Sequence, residues 1–232
     1  MRTAAIVPAA GQGQRLGPGV PKALRLLGGA PLLVHAVRAL VQSRLVDLVV
    51  VAAPPGDVST VRGLLDDHDL PKDVVVVAGG ETRQASVRLA LVSLPEDVDV
   101  VLVHDAARPL VPPELVDAVA HAVRAGAQAV VPTLPLADTV KQVDERGDVV
   151  ATLDRASLRA VQTPQGFRRS ALERSHVAAD GSDASDDAGL AERAGIVVTT
   201  IRGSAEALKV THPIDLVLAE AILSRRRGDR AR

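Results

Sequence analysis

The chain has 232 residues, 47% of them hydrophobic, and a formal net charge of −1. This length suits one domain with a substantial core, and the charge lacks the basic excess of a nucleic-acid-binding protein. The absence of cysteine excludes disulfides, thiolate nucleophiles and cysteine-held zinc, and a single phenylalanine without tyrosine or tryptophan leaves almost no aromatic surface for base stacking. No signal-peptide pattern or apolar run of about 18 residues occurs, so we expect a cytoplasmic protein that binds neither membranes nor nucleic acid.

Short valine-rich runs alternate with longer amphipathic stretches along the chain. The nearly continuous apolar runs are typical of strands buried on both faces, and they lie near residues 4–8, 46–53, 73–78, 98–103, 128–132 and 196–201. Helical periodicity is found near residues 31–43, 57–67, 83–94, 113–125, 169–178, 187–194 and 213–226. The alternation predicts a single α/β domain over residues 1–232, with a Rossmann-like, three-layer α/β/α arrangement around a mainly parallel, twisted sheet.

Residues 137–163 interrupt this alternation with a predicted hairpin. Two strand-like pieces, Thr139–Val143 and Val149–Leu153, flank an Asp-Glu-Arg-Gly-Asp turn. Because an isolated hairpin is only marginally stable in water, we expect a projecting arm that packs against a second copy of the chain in a homodimer. The basic segment 225–232 is predicted to be a flexible, solvated tail.

The loop after the first predicted strand carries two cations. It runs Pro8-Ala9-Ala10-Gly11-Gln12-Gly13-Gln14-Arg15, with Lys22 shortly after. Glycines let backbone N–H groups approach a polyanion, and Arg15 and Lys22 supply charge for phosphate oxygens. The dinucleotide fingerprint and the P-loop both fail, because Leu16 replaces the third glycine of the first and Lys22 lies between Pro21 and Ala23. An ordinary glycine-rich turn is the alternative for this loop taken alone.

A glycine pair follows the 73–78 run and leads into a predicted helix whose first turns carry Arg83 and Ser86. Open α/β sheets bind ligands at the carboxyl ends of their strands. Ser86 could therefore contact a base, a ribose or a phosphate. A helix N-terminal cap explains the same residues comparably well.

An aspartate follows the 98–103 run, within the sequence His104-Asp105-Ala106-Ala107-Arg108-Pro109. Mg²⁺ prefers one or two carboxylates that are completed by substrate phosphates and water, which makes Asp105 the metal candidate. His104 fits a structural role better. Arg108 either binds a phosphate or pairs with Asp105, and the sequence does not separate the two.

Two further segments lie nearer the C-terminus. Ser185-Asp186-Asp187-Ala188 either caps a helix or supplies a carboxylate that organises the site. Ala207–Thr211 is predicted to be a short strand, and because a buried lysine without a partner is costly, we expect Lys209 to reach an anion rather than to be a solvated edge residue. Several cations, one carboxylate for a metal and no nucleophile favour direct phosphoryl or nucleotidyl transfer.

Six motifs occur in the order seen in one enzyme family. They are Pro8-Ala9-Ala10-Gly11-x-Gly13-x-Arg15, Pro21-Lys22, Gly79-Gly80-x-x-Arg83-x-x-Ser86-Val87, His104-Asp105-Ala106-Ala107-Arg108-Pro109, Thr163-Pro164-Gln165 and Lys209-Val210-Thr211. Together they resemble the 2-C-methyl-D-erythritol 4-phosphate cytidylyltransferases of the non-mevalonate isoprenoid pathway, from about residue 4 to residue 224. The resemblance implies a nucleotidyltransferase type of fold and identifies residues 137–163 with the family's dimer arm.

The resemblance also implies an activity and its residues. CTP and 2-C-methyl-D-erythritol 4-phosphate would be joined, with release of pyrophosphate, by in-line attack on the α-phosphorus of CTP. Catalysis would fall to Arg15, Lys22, Asp105 and Lys209, with Asp105 helping to hold Mg²⁺. The CTP pocket would comprise Pro8, Ala9, Ala10, Gly11, Gly13, Gly80, Glu81, Arg83, Ser86 and Ala106. The acceptor would be bound by Arg108, Thr139, Arg155, Thr163 and Ser185, of which Thr139 and Arg155 serve the neighbouring subunit.

Two positions depart from the family pattern, and three other functions remain open. Ser185 replaces the usual threonine, and Glu81 stands where aspartate is frequent. A ribitol-5-phosphate cytidylyltransferase would share the CTP loop and differ only in its acceptor pocket. A sugar-1-phosphate nucleotidyltransferase is disfavoured by Gln14 in the loop and by the 104–109 motif. A non-catalytic regulator would bind CTP without releasing pyrophosphate.

Overall fold

The computed structural model describes residues 1–11, 21–68, 70, 73–179 and 184–230. The strands are β1 (Arg2–Pro8), β2 (Leu26–Leu27), β3 (Ala30–Pro31), β4 (Leu48–Ala53), β5 (Val74–Ala78), β6 (Val98–Val103), β7 (Ala129–Pro135), β8 (Val140–Val143), β9 (Val149–Leu153), β10 (Arg159–Val161), β11 (Gln165–Arg168) and β12 (Val198–Arg202). The α-helices are α1 (Leu32–Val41), α2 (Val58–Asp66), α3 (Arg83–Val92), α4 (Pro113–Arg124), α5 (Arg169–Ala178), α6 (Asp187–Arg193) and α7 (Pro213–Arg230).

Eight strands of the described chain form the central sheet, in the order β10-β7-β11-β6-β1-β4-β5 with β12 on β7. β1 pairs in parallel with β4 and β6, β4 with β5, and β7 with β12. The prediction of a mainly parallel α/β sheet is therefore confirmed. The sequence analysis did not predict β11, which lies antiparallel between β6 and β7.

The sheet separates two apolar layers, because successive side chains of a strand point to opposite faces. On β1, Ala5 and Val7 belong to the layer that contains buried residues of α1 and α4, whereas Ala4 and Ile6 belong to the layer with those of α3 and α5. Phe167 of β11 is completely buried in the second layer. Helices on both faces explain why the strands are apolar along their whole length.

The predicted hairpin is confirmed as a separate two-stranded sheet formed by β8 and β9. Its turn is stabilised by Asp144, whose Oδ1 accepts hydrogen bonds from the backbone N–H groups of Arg146 and Asp148. Val143, Val149 and Val150 of this arm are exposed. These exposed valines make the arm an apolar projection.

The C-terminal helix continues further than the sequence predicted. α7 extends to Arg230, so residues 225–230 are helical where we expected the start of a solvated tail. Arg225 and Arg226 both pair with Glu206, and Arg226 also donates to the backbone oxygen of Leu110 at 2.7 Å. These contacts anchor the basic end of the helix. No helix in the described part of the chain has the length and apolar character required to cross a membrane.

Candidate active site

A cavity of about 210 Å³ opens at the carboxyl ends of β1 and β6. Among the described residues it is lined by Pro8, Ala9, Ala10, Gly11, Lys22, Ala23, Arg83, Ser86, Asp105, Ala106, Ala107 and Lys209. Ten of the predicted site residues are therefore brought together, and Ala23 and Ala107 are additions that the sequence analysis did not assign. Arg15 and Gly13 lie outside the described residues.

Close backbone packing forms one wall of this cavity. The N–H of Ala9 donates to the backbone oxygen of Ala52 at 2.8 Å, and that of Gly79 donates to Ala53 at 2.7 Å. A Cβ on Gly79 would lie 2.9 Å from both the Ala10 Cβ and the Ser86 Oγ, closer than real Cβ atoms come. The absence of a side chain at position 79 therefore lets the loops after β1 and β5 meet.

The two roles considered for Ser86 can be distinguished in part. Thr82 is the N-cap of α3, because its side chain accepts a hydrogen bond from the N–H of Ala85. Ser86 lies one turn further on, where its Oγ accepts from the N–H of Gly80 and has the Thr82 carbonyl at 2.9 Å. Ser86 therefore stabilises the turn at Gly80 and also lines the cavity.

Asp105 is held between two cations at the cavity wall. Its Oδ2 lies 2.7 Å from the Lys209 Nζ, and its Oδ1 lies 3.2 Å from the Arg83 Nε. Burial alone would raise the pKa of Asp105, but Arg83 and Lys209 outweigh it and hold this pKa well below its usual range. The carboxylate therefore stays ionised. The expectation that Lys209 reaches an anion is confirmed.

Arg83 links Asp105 to a second, fully buried carboxylate. Its Nη1 donates to the Asp187 Oδ2 at 2.6 Å. Burial opposes the charge on Arg83, yet Asp187 and Asp105 together raise its pKa above the usual value. The Nη2 of Arg83 is buried without a hydrogen-bond partner among the described residues.

A hydrogen-bonded histidine lies behind Asp105, in agreement with the structural role expected for His104. Its Nε2 is 3.1 Å from the Arg108 carbonyl oxygen, which only accepts, so the Nε2 carries the proton. The Thr163 hydroxyl then donates to the His104 Nδ1 and accepts from the N–H of Asp105. Burial lowers the pKa of His104 to about 4, so the ring is neutral near pH 7. His104 and Thr163 thus fix the backbone that carries Asp105.

Arg108 is not paired directly with Asp105 in the described structure, and its guanidinium binds two backbone carbonyl groups instead. Its Nη1 donates to the Ala207 carbonyl at 2.7 Å and its Nη2 to the Val161 carbonyl at 3.1 Å. Burial lowers the pKa of Arg108. The Arg108 side chain therefore links the backbone at Ala207, just before Lys209, to the backbone at Val161, just before Thr163. The role of Arg108 in binding the acceptor stays a prediction.

The predicted short strand over residues 207–211 is wrong. Residues 205–207 form a 3-10 turn, and no strand follows before α7. The backbone hydrogen bonds of this segment are made elsewhere: Val210 donates to the Ala107 carbonyl, and Thr211 donates to the Asp215 carboxylate. Lys209 therefore reaches Asp105 from an irregular segment, not from a sheet edge.

The remaining predicted residues lie outside the cavity. Ser185 is exposed before α6, where Asp186 is the N-cap and Asp187 binds Arg83. Both suggested roles of that acidic sequence thus occur, on neighbouring residues. Thr139 and Arg155 are exposed on the arm, and Arg155 donates to the Ala137 carbonyl. Gly80 and Glu81 follow β5. The Thr163 hydroxyl accepts from the backbone N–H of Asp105 and does not itself line the cavity.

The fold and the site define an α/β protein of the nucleotidyltransferase class, because an open, mostly parallel sheet gathers cations and one carboxylate at the carboxyl ends of its strands. The family model described as 2-C-methyl-D-erythritol 4-phosphate cytidylyltransferase (IspD) matches residues 3–225. The chain belongs to this family.

Named relatives and solved structures agree with the family match. A Streptomyces coelicolor protein named 2-C-methyl-D-erythritol 4-phosphate cytidylyltransferase is 61% identical, with 97% of this chain and 86% of that protein covered. The Saccharopolyspora erythraea protein of the same name is 53% identical, with 97% and 100% covered. The crystal structure of the Thermus thermophilus protein of that name is 38% identical, with a TM-score of 0.77 and with 96% and 98% of the two chains covered.

Proposed function

We propose that this chain is a cytoplasmic enzyme that transfers the cytidylyl group of CTP to 2-C-methyl-D-erythritol 4-phosphate. The products are 4-diphosphocytidyl-2-C-methyl-D-erythritol and pyrophosphate. The family match over residues 3–225 supports the substrates. The observation that carries the chemistry is the ionised Asp105, held by Arg83 and Lys209 in a cavity that also contains Lys22.

The chemistry requires positioning and charge stabilisation rather than a protein nucleophile. An oxygen of the acceptor phosphate forms a bond to the α-phosphorus, and the bond from that phosphorus to the bridging oxygen breaks. The electron pair leaves with pyrophosphate. Both reactants are anions, so Lys22 and Lys209 lower the barrier by balancing charge that gathers around the α-phosphorus. We assign Arg15 of the same loop to this role.

Asp105 suits a divalent cation that is shared with the substrate. Each of its oxygens accepts one contact from a cation, and a carboxylate oxygen has a second acceptor position. The described residues contain no group of three or more His, Cys, Asp or Glu side chains that could hold a metal by themselves. Asp105 would therefore hold Mg²⁺ together with phosphate oxygens and water, and the ion would offset charge on the triphosphate.

The cytidine site is built mainly from backbone and small side chains. Ala9, Ala10, Gly11 and Ala106 line the cavity and offer peptide groups instead of aromatic faces. We add Pro8, Gly80, Glu81, Arg83 and Ser86 to this site, with Gly13 of the preceding loop. Hydrogen bonds to peptide groups distinguish a base by its edge, which suits recognition of one nucleotide in a chain without tyrosine or tryptophan.

We further propose that residues 1–232 form one domain and that two copies associate through the arm. The exposed valines of β8 and β9 would then be covered by the second copy. Thr139 and Arg155 would reach the acceptor site of the neighbouring subunit, where Arg108, Thr163 and Ser185 belong to the same site.

Pyrophosphate release from CTP and Mg²⁺ tests the proposal, with 2-C-methyl-D-erythritol 4-phosphate and ribitol 5-phosphate as parallel acceptors. Release with the first acceptor alone is expected. Release with ribitol 5-phosphate alone would keep the CTP site and overturn the acceptor. CTP binding without release with either acceptor would instead indicate a regulator. An Asp105→Asn variant is the control, because it keeps the shape of the carboxylate and removes its charge.

A further inference from the structure

A chain of polar contacts extends from the cavity to helix α5, beyond the residues assigned to the reaction. Asp187 has no exposed surface, and its two carboxylate oxygens have different partners. Its Oδ2 lies 2.6 Å from the Arg83 Nη1, and its Oδ1 lies 3.1 Å from the His176 Nε2. His176 does not line the cavity, yet only Asp187 separates it from Arg83.

Two carboxylates hold the Arg83 guanidinium from different sides. Asp105 binds the Nε and Asp187 binds the Nη1, so the plane of the group is fixed by both. The contact with Asp105 depends on the cavity itself, because Lys209, which lines the cavity, binds the same carboxylate. The Asp187 contact depends on how the Asp187 side chain is oriented.

Two features constrain the orientation of the Asp187 side chain: the position of its backbone and the hydrogen bond that its Oδ1 accepts. Its backbone is fixed at the start of α6, where Asp186 caps the helix and the Gln165 Oε1 accepts from the N–H of Ala188. The rotation of the carboxylate is then constrained by the hydrogen bond from His176. Loss of that donor would leave the Oδ1 as a buried acceptor without this partner, and the carboxylate would turn away from Arg83 to find another.

We propose that His176 is a positioning residue for this reaction, which acts through Asp187 to orient Arg83 for CTP. The proposal rests on the proposed function, in which Arg83 binds the nucleotide. His176 contacts neither the cavity nor Asp105. Its effect therefore falls on the binding of CTP and leaves the affinity for the acceptor unchanged.

The geometry defines an informative pair of variants. The Asp187 carboxylate only accepts, so the His176 Nε2 is the donor. Glutamine carries an amide N–H₂ at a similar reach, and leucine fills similar space without a donor. Ser175→Ala is the matched control, because it removes a buried hydrogen bond within α5, from the Ser175 Oγ to the Ala171 carbonyl, and does not touch Asp187.

Calorimetric titration with CTP in the presence of Mg²⁺ tests the proposal. We expect His176→Leu to raise the Kd for CTP by about tenfold, as for the loss of one hydrogen bond to a charged group. His176→Gln and Ser175→Ala should stay within about twofold of the natural chain. In turnover assays, His176→Leu should raise the KM for CTP with little change in that for the acceptor. Unchanged CTP affinity in His176→Leu, or equal losses in the leucine and glutamine variants, would overturn the proposal.

A readout without nucleotide separates this proposal from the proposed function. The Arg83 Nε–H resonance, assigned with an Arg83→Lys variant, reports on the constrained guanidinium by its hydrogen exchange. Exchange should quicken in His176→Leu and stay slow in His176→Gln, whether or not the chain proves to be a cytidylyltransferase. A resonance that is the same in all three chains would contradict the role of His176, even if the natural chain turns over both substrates.

The dependence on Asp187 has its own test. If His176 acts through Asp187, adding His176→Leu to an Asp187→Asn variant should weaken CTP binding no further. Additive losses would mean that His176 acts by another route and would overturn the proposal.

Discussion

Asp105, Arg83 and Lys209 show how single residues keep their charges in a mostly buried cavity. Burial disfavours the charges of Asp105 and Arg83, and the contacts of Asp105 with Lys209 at 2.7 Å and with Arg83 at 3.2 Å keep this carboxylate ionised. The carboxylate that is proposed to share Mg²⁺ is therefore ionised before any substrate arrives. The site is preorganised electrostatically, which is the main catalytic resource in phosphoryl transfer.

Lys22→Ala should reduce turnover by about a hundredfold or more, because it removes charge at the transferring group. The residue is only partly buried in the 3-10 turn before β2, so the fold should persist. Steady-state pyrophosphate release and circular dichroism check both statements. Arg44→Ala is a matched control: Arg44 is exposed between α1 and β4, at the opposite ends of the parallel strands. Near-normal turnover of Lys22→Ala would remove Lys22 from the mechanism.

His104 should make stability fall as the pH decreases from about 6.5 to 4. Its folded pKa is lowered to about 4 by burial, so the unfolded chain binds more protons than the folded one across this interval. The loss approaches about 1.4 kcal/mol per pH unit from this residue. Burial also lowers the pKa of His35, which adds to the slope. Below about pH 4 the depressed pKa values of Asp105 and Asp187 extend the loss, because protonation ends their ion pairs.

Urea unfolding at pH 7 and pH 5 measures this dependence. His104→Gln should be less stable at pH 7 and show a shallower decline, with the His35 contribution left. An equal decline in the variant and the natural chain would show that His104 titrates normally in the folded protein.

At the level of residues, the sequence identified the charges but not their partners. Asp105 and Lys209 stood out because a carboxylate after an apolar strand and a lone lysine both need an explanation. The pairing of Arg83 with Asp187 joins residues 104 positions apart, and no local spacing indicates it. His176 belongs to no motif. A histidine on an amphipathic helix is ordinarily a surface or core residue, so its position alone does not indicate a role in the site.

Among the elements, the irregular segment from residue 203 to residue 210 has the most direct influence on the site. The Gln162 side chain binds it twice: the Nε2 donates to the Ser204 carbonyl at 2.8 Å, and the Oε1 accepts from the Ser204 N–H at 3.0 Å. Arg108 binds the same segment at Ala207. Side chains therefore replace sheet hydrogen bonds in holding the approach of Lys209 to Asp105.

Gly203→Ala should disturb this segment and reduce activity by about tenfold, with a melting temperature lowered by several degrees. An added Cβ would overlap the Gln162 Oε1 and displace its amide from Ser204. Thermal unfolding and turnover measure the two effects. Gly63→Ala is the matched control, because a Cβ there meets nothing within 4 Å and alanine is favoured in the α2 helix. Equal behaviour of the two variants would show that the Gln162 contact is dispensable.

The same segment shows where sequence patterns fail for elements. A short strand was expected over residues 207–211, but the backbone N–H groups of Val210 and Thr211 donate to the Ala107 carbonyl and the Asp215 carboxylate instead. β11 was missed for the opposite reason: its four residues, Gln-Gly-Phe-Arg, have no apolar run. It is a strand because β6 and β7 offer hydrogen bonds on both sides, which is tertiary information.

For the molecule as a whole, the arm formed by β8 and β9 is the part that the proposed dimer would use. Its two strands form their own sheet, and the exposed valines leave apolar surface in water. The alternation of apolar runs and amphipathic stretches was sufficient to predict the parallel core and this hairpin. Local patterns do not encode which surfaces two copies share, because that depends on side chains brought together only in the folded chain.

Val149→Asp should convert the proposed dimer to a monomer and raise the KM for the acceptor by about tenfold, because a charge on the arm would have to be buried on association. Sedimentation velocity and steady-state kinetics measure both effects. Val177→Asp is the matched control, since Val177 is an equally apolar, exposed residue on α5. A monomeric natural chain with full activity would contradict the role of the arm.

Phe167, buried in the second apolar layer, is the single Phe, Tyr or Trp residue of the chain, and this has an optical consequence. With no tyrosine or tryptophan in the chain, the protein is nearly transparent in the near ultraviolet, where cytosine absorbs strongly. The occupancy of the nucleotide site can therefore be read from the hypochromic or shifted absorption band of the bound base itself, without a label and without interference from the polypeptide.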